Sequence, residues 1–133
     1  MDIVLDCSVV MSWCFQDEKD AHSVKVLDSL SKNKAHVPSL LFLEVSNVLV
    51  MAERKGRLTV ADTARFLDLL TSLPLRIDEE PKNPETYLFL AREHGLTSYD
   101  ACYLELAMRT GSALATKDKS LKNACKKSGV VLF

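Results

Sequence analysis

Four acidic residues stand where a carboxylate is hard to accommodate. Asp6 ends the apolar, β-branched run Ile3-Val4-Leu5, and Glu44 interrupts Leu40-Leu41-Phe42-Leu43-Glu44-Val45, the opening of the most apolar helical stretch. Asp100 lies in Thr97-Ser98-Tyr99-Asp100-Ala101, and Asp118 directly follows Ala115-Thr116-Lys117. An ionised carboxylate beside a core needs a cation, hydrogen-bond donors or a metal, because leaving it unpaired costs several kcal/mol. Carboxylates gathered together raise one another's pKa, and a hard divalent cation relieves that repulsion. Mg²⁺ and Mn²⁺ prefer oxygen ligands. An ion so held activates water and neutralises charge on a phosphodiester. Ser8 and Thr116 have hydroxyls suited to orienting water or a phosphate oxygen, or to ordinary turns and caps. Asn47, three residues after Glu44, shares its helix face.

Each carboxylate also has a plainer reading. Glu44 fits the wet side of a helix, Asp100 is in a first turn favoured by exposed amides, and Asp118 is placed as an N-cap. The case for a site rests on their joint placement. Asp6 and Asp118 follow strands, whereas Glu44 and Asp100 lie early in helices. In a doubly wound sheet, strand ends and the starts of the following helices share one edge, where ligands bind.

The elements that must deliver them alternate. Strands are expected at residues 3–5, Ala35 to Pro38, Leu73 to Ile77, Ala113 to Ala115 and Val130 to Leu132. Helices are expected from Ser8 to Phe15, Glu18 to Lys32, Leu40 to Lys55, Thr59 through Leu70, Asn83 to His94, Thr97 or Ser98 through Arg109, and Asp118 to Lys127. Thr59 and Asp62 form a capping-box pattern, and Asn83-Pro84 is a cap and first-turn pair. The four glycines all fall just past an expected helix rather than in a phosphate loop. The alternation predicts an α/β fold, a three-layer α/β/α sandwich with a central, mainly parallel sheet of about five strands. Residues 1–133 are expected to form a single domain, with no linker or repeat.

Composition narrows the function. With 133 residues, 47% hydrophobic, the chain is long enough for a real core. No run approaches the roughly 18 apolar residues of a membrane span, and no signal-peptide pattern opens the sequence, so a cytoplasmic protein is expected. A net charge of −1 gives no overall basic character. Lysines do crowd residues 117–127, either as a solvated helix face or as part of a nucleic-acid contact. Cys7, Cys14, Cys102 and Cys125 form no CxxC pair, which argues against zinc and disulfide frameworks. His22, His36 and His94 are scattered, which argues against histidine-based catalysis. A haloacid-dehalogenase phosphatase would need Asp where Ser8 stands. A receiver domain would need an acidic residue where Cys7 stands.

Four segments in order resemble the PIN domain, specifically the VapC-type toxin ribonucleases of prokaryotic toxin–antitoxin pairs. They are Ile3-Val4-Leu5-Asp6-Cys7-Ser8-Val9-Val10 with Trp13; Pro38-Ser39-Leu40 through Glu44-Val45-Ser46-Asn47-Val48-Leu49; Leu96-Thr97-Ser98-Tyr99-Asp100-Ala101-Cys102-Tyr103-Leu104; and Leu114-Ala115-Thr116-Lys117-Asp118-Lys119-Ser120-Leu121. The resemblance implies a metal-dependent endoribonuclease using Mg²⁺ or Mn²⁺, an RNA substrate, a homodimer and a cognate antitoxin. It makes Asp6, Glu44, Asp100 and Asp118 the metal and catalytic carboxylates, with Ser8, Asn47 and Thr116 in support. An acid-lined pocket then needs a basic rim for phosphate contacts, for which Arg54, Lys117, Lys119 and Lys122 are candidates. The competing reading is a PIN-like interaction protein that binds an antitoxin or RNA without turnover.

Overall fold

Ile3, Val4 and Leu5 are wholly buried, as expected of a strand covered on both faces. In the computed structural model, which describes residues 1–133, this run is β1 (Ile3–Leu5). The chain continues through α1 (Cys7–Ser12), a 3-10 turn (Gln16–Glu18), α2 (Ala21–Ser29), β2 (Ala35–Pro38) and α3 (Leu40–Arg54). Then come α4 (Val60–Ser72), β3 (Leu75–Asp78), α5 (Pro84–His94), α6 (Ser98–Thr110), β4 (Ala113–Ala115) and α7 (Lys119–Ser128). The strands lie in the order β3-β2-β1-β4, and every pairing is parallel.

The pleat sends alternate side chains to opposite faces, which divides the core. Ile3, Leu5, Ala35, Val37 and Ala115 pack with Val9 and Val10 of α1, Leu41, Val45 and Leu49 of α3, and Phe66 and Leu70 of α4. Val4 and Leu114 face the other way, onto Tyr103, Leu104 and Leu106 of α6 and Leu121 and Cys125 of α7. The result is the expected α/β/α sandwich.

Several boundaries move for identifiable reasons. The sheet has four strands, not about five. Val130 to Leu132 supplies only an isolated parallel bridge, Leu114 to Leu132, because one rung (Leu114 N to Val131 O, Phe133 N to Leu114 O) is all that forms. The third strand starts at Leu75 rather than Leu73, after Pro74, which has no N–H to give a ladder. The second helix starts at Ala21 rather than Glu18, where Asp20 and Ser23 close a capping box. Thr59 with Asp62 and Asn83 with Pro84 cap α4 and α5 as expected. Gly95 and Gly111 end α5 and α6 at φ 64°, the left-handed conformation that glycine adopts without a Cβ clash.

Leu104 is fully buried under the sheet, whereas Leu67 on α4 is 40% exposed. Leu104→Ala is expected to cost about 2–5 kcal/mol in urea unfolding through the cavity it leaves. Leu67→Ala should cost well under half of that. Equal losses would contradict this placement of the core.

Candidate active site

The chain runs from β1 outward to β2 and β3, then returns to place β4 on the other flank of β1. This reversal is a topological switch point, the place beyond the carboxyl ends of the strands where open α/β sheets take up ligands. Asp6 leaves β1 at that point. Thr116, Lys117 and Asp118 leave β4 beside it, with Asp6 N donating to Ala115 O across the pair.

Asp6 is only 4% exposed. Its Oδ1 accepts from the Ser8 hydroxyl at 2.7 Å and from Val9 N at 3.2 Å, so it also caps α1. Its Oδ2 accepts from the buried Thr116 hydroxyl. The Ser8 hydroxyl in turn accepts from Lys117 N of the opposite turn at 2.9 Å, and the Thr116 hydroxyl accepts from Asp118 N within its own turn at 3.0 Å. Ser8 and Thr116 therefore stitch the β1–α1 turn to the β4–α7 turn around Asp6. A carboxylate has about four lone-pair sites, so three donors leave Asp6 roughly one to offer a further ligand.

The other three carboxylates come from separate elements. Glu44, half-buried on α3, accepts a hydrogen bond from the Tyr103 hydroxyl of α6. Asp118 caps α7, its Oδ1 accepting from Ser120 N at 2.7 Å and Leu121 N at 3.2 Å. Asp100 sits in the first turn of α6, where Thr97 caps its backbone N–H at 3.1 Å. Its carboxylate accepts no hydrogen bond of normal geometry.

The four charges act on one another. Burial raises the Asp6 pKa and outweighs the lowering by Ser8, Thr116 and Val9, and Asp118 adds to the rise. Burial raises Glu44 as well, against the Tyr103 hydrogen bond and with help from Asp6. Asp100 is pushed up to about 6 by burial, then by Asp118, Asp6 and Glu44, with little offset from Thr97. Residues 6, 44, 100 and 118 thus lie within electrostatic reach as one acidic pocket, with Asp100 acted on by all three others. Cys7 shares it, and its thiol is pushed up to about 12 by burial, Glu44 and Asp6, which keeps it neutral.

The donor set is oxygen, with three carboxylates held above their ordinary pKa and no compensating cation among the influences on them. This suits a hard divalent ion. The pocket is not a ready-made cage, however. No three Asp, Glu, His or Cys side chains are close enough to grip one ion. Such an arrangement matches a metal that keeps several waters and takes one or two carboxylates.

Remaining candidates fall at varied distances from this pocket. Asn47 is exposed one turn after Glu44 and makes no side-chain hydrogen bond. Lys119 and Lys122 are exposed on α7, directly after Asp118. Lys117 is already engaged, donating to Glu18 O at 2.7 Å and pairing with Asp20 at 3.5 Å. Arg54 is exposed near the far end of α3, about 15 Å along the helix from Glu44 at 1.5 Å per residue. The residue to which the sequence reading gave no site role is Tyr103. It lies one turn after Asp100, inside a buried apolar stretch where a tyrosine hydroxyl ordinarily needs a partner.

Residues 3–127 match the PIN domain family. Ribonuclease VapC3 of Pyrobaculum aerophilum is 27% identical over 123 residues, which is 91% of this chain and 92% of that protein. Exonuclease VapC9 of the same organism is 34% identical over 90 residues, 68% of this chain and 66% of its own. Among solved structures, PAE2754 from P. aerophilum aligns with a TM-score of 0.73 at 29% identity, covering 98% of this chain and 83% of that one. VapBC2 from Rickettsia felis, bound to a DNA fragment from their promoter, aligns at 0.70 with 17% identity, covering 100% and 98%. That last likeness is one of fold alone.

The raised pKa values carry a sign. A carboxyl with a folded pKa above its unfolded value of 3.8 contributes most stability when protonated, and that contribution is lost as pH rises through about 6 for Asp100. In protein treated with chelator, Asp100→Asn is expected to melt above the parent near pH 8. The gap should shrink toward about pH 5, where the parent carboxyl is largely protonated. A gap that widens on acidification would contradict the repulsion described.

Proposed function

The chain belongs to the PIN domain family, and on that premise we propose that it is a metal-dependent endoribonuclease, the toxin of a type II toxin–antitoxin pair. The observation that carries this reading is the grouping of Asp6, Glu44, Asp100 and Asp118 at the switch point, where burial and then the neighbouring acids raise Asp6, Glu44 and Asp100. We take residues 1–133 as one working domain.

Asp6, Glu44, Asp100 and Asp118 would hold Mg²⁺ or Mn²⁺ between them, one or two as direct ligands and the others through the waters the ion keeps, Asp6 through the lone pair its three donors leave open. When bound, the ion supplies activation of water and neutralisation of phosphodiester charge. Asp100 has little hydrogen-bond support, from Thr97, and a pKa near 6 before any ion enters, which makes it the group best suited to take a proton from the attacking water. Ser8 and Thr116 hold Asp6 rather than touching substrate. Lys119 and Lys122 form the phosphate-binding rim beside Asp118. Lys117 secures the segment from Glu18 to Asp20, and Arg54 serves only an RNA long enough to run along α3.

The ribonuclease name of one relative supports RNA as substrate, and the VapC-type likeness supports an antitoxin partner. A homodimer fits the exposed apolar side chains Leu43, Leu88 and Phe89, and the groove of about 1010 Å³ lined by Leu40, Leu43, Tyr87 and Leu88. No helix is long and apolar enough to cross a membrane, in keeping with a cytoplasmic place of action.

A second reading, exonuclease, is favoured by the name of the 34% identical relative. Circular RNA separates the two. Mn²⁺-dependent linearisation of a labelled circle is expected. Shortening of linear RNA with the circle untouched would make the enzyme an exonuclease, and no cleavage of either would favour the non-catalytic interaction protein. Asp6→Asn keeps an acceptor for Ser8 and Val9, so the fold should persist while cleavage falls by at least about a hundredfold, as expected when an interaction central to the transition state is removed. Lys119→Ala with Lys122→Ala should weaken RNA binding and reduce the slope of affinity against salt by up to about 2. An unchanged slope removes both from the rim.

A further inference from the structure

We propose that Tyr103 is a positioning residue of the acidic pocket, holding Glu44 in the arrangement from which it ligates a divalent ion. The inference rests on the metal-site reading above and adds a residue to it.

Tyr103 is 1% exposed, and its ring is packed in the core layer with Val4, Leu104 and Leu121. From that fixed base its hydroxyl reaches across to α3 and donates to Glu44 Oε1, a contact between residues 59 apart in sequence. It is the one hydrogen bond that the Glu44 side chain makes, and the phenol has no other partner. Asp6 is held by three donors and Asp118 by two backbone amides. Glu44, with the longest and most flexible arm of the four, has this hydroxyl alone.

Two consequences follow for a ligand carboxylate. The bond removes rotamer freedom that would otherwise be lost when an ion binds, and it occupies one oxygen, leaving the second for coordination. Partners that orient ligating groups in this way typically change metal affinity by 10–100-fold when removed. A purely structural role would need only the ring. The hydroxyl adds nothing to apolar packing, and it points to a carboxylate that no other donor reaches.

The test is calorimetric titration of the full chain with Mn²⁺ alone. Tyr103→Phe keeps the ring and is expected to weaken Mn²⁺ binding about tenfold. Glu44→Asp shortens the arm so that it no longer meets the phenol. Adding Tyr103→Phe to that background should change affinity by less than about twofold, since interacting residues are non-additive. Should Tyr103→Phe fail to fold, Tyr103→4-aminophenylalanine, which keeps a donor, must bind Mn²⁺ like the parent. Equal Mn²⁺ affinity of Tyr103→Phe and parent overturns the inference, as does an equal loss in both backgrounds, and the metal-site reading survives either result. A parent that takes up no Mn²⁺ overturns both.

Discussion

The burial of one carboxylate, Asp6, sets the terms for everything around it. A charge in a position only 4% exposed, at the end of a strand with no exposed residue, is tolerable only with donors on both oxygens. The chain supplies them from two places more than a hundred residues apart, Ser8 and Val9 on one side and Thr116 on the other. Those hydroxyls in turn receive the amides of Lys117 and Asp118, so the same small network that steadies the charge also fixes how β4 hands over to α7. The carboxylate is therefore both a cap for α1 and the pin joining two turns.

The fold treats acidic side chains in two contrasting ways. On the far flank, burial pushes Asp78 up, but Arg109 and Lys82 outweigh it and hold the carboxyl below its usual value; Arg109 also meets Glu105 at 2.7 Å. That cluster neutralises itself. At the switch point no lysine or arginine enters among the acids. The nearest, Lys117, turns away to Glu18 and Asp20. A site that denies its acids an internal cation retains an appetite for an external one, and the raised pKa values measure that appetite.

Much of this was legible in the sequence because strong local rules agreed there. The β-branched run before Asp6, the capping pairs Thr59–Asp62 and Asn83–Pro84, and the glycines after α5 and α6 each made one element and one boundary plain. The expectation that the acids converge came from their strand-end and helix-start positions. What the residues could not disclose was long-range. Leu132 looked like a strand, but whether it pairs over one rung or three depends on the path of the chain after Gly129. Lys117 looked like a rim cation until Asp20 and the Glu18 carbonyl claimed it. Tyr103 stood in the third resembling segment with no role of its own, and the structure packs it in the core. Its second allegiance, to Glu44, depends on how α3 and α6 approach, which no spacing within either helix records.

The pocket draws on positions 6, 44, 100 and 118, with a stitch between residues 8 and 116 or 117 that closes it. During synthesis the chain can form β1, its neighbours and most of the larger core while Asp6 still lacks Thr116 and Asp118. The site is complete only where β4 lies beside β1. A chain cut short before β4 would carry the first acid of the pocket and none of its closure.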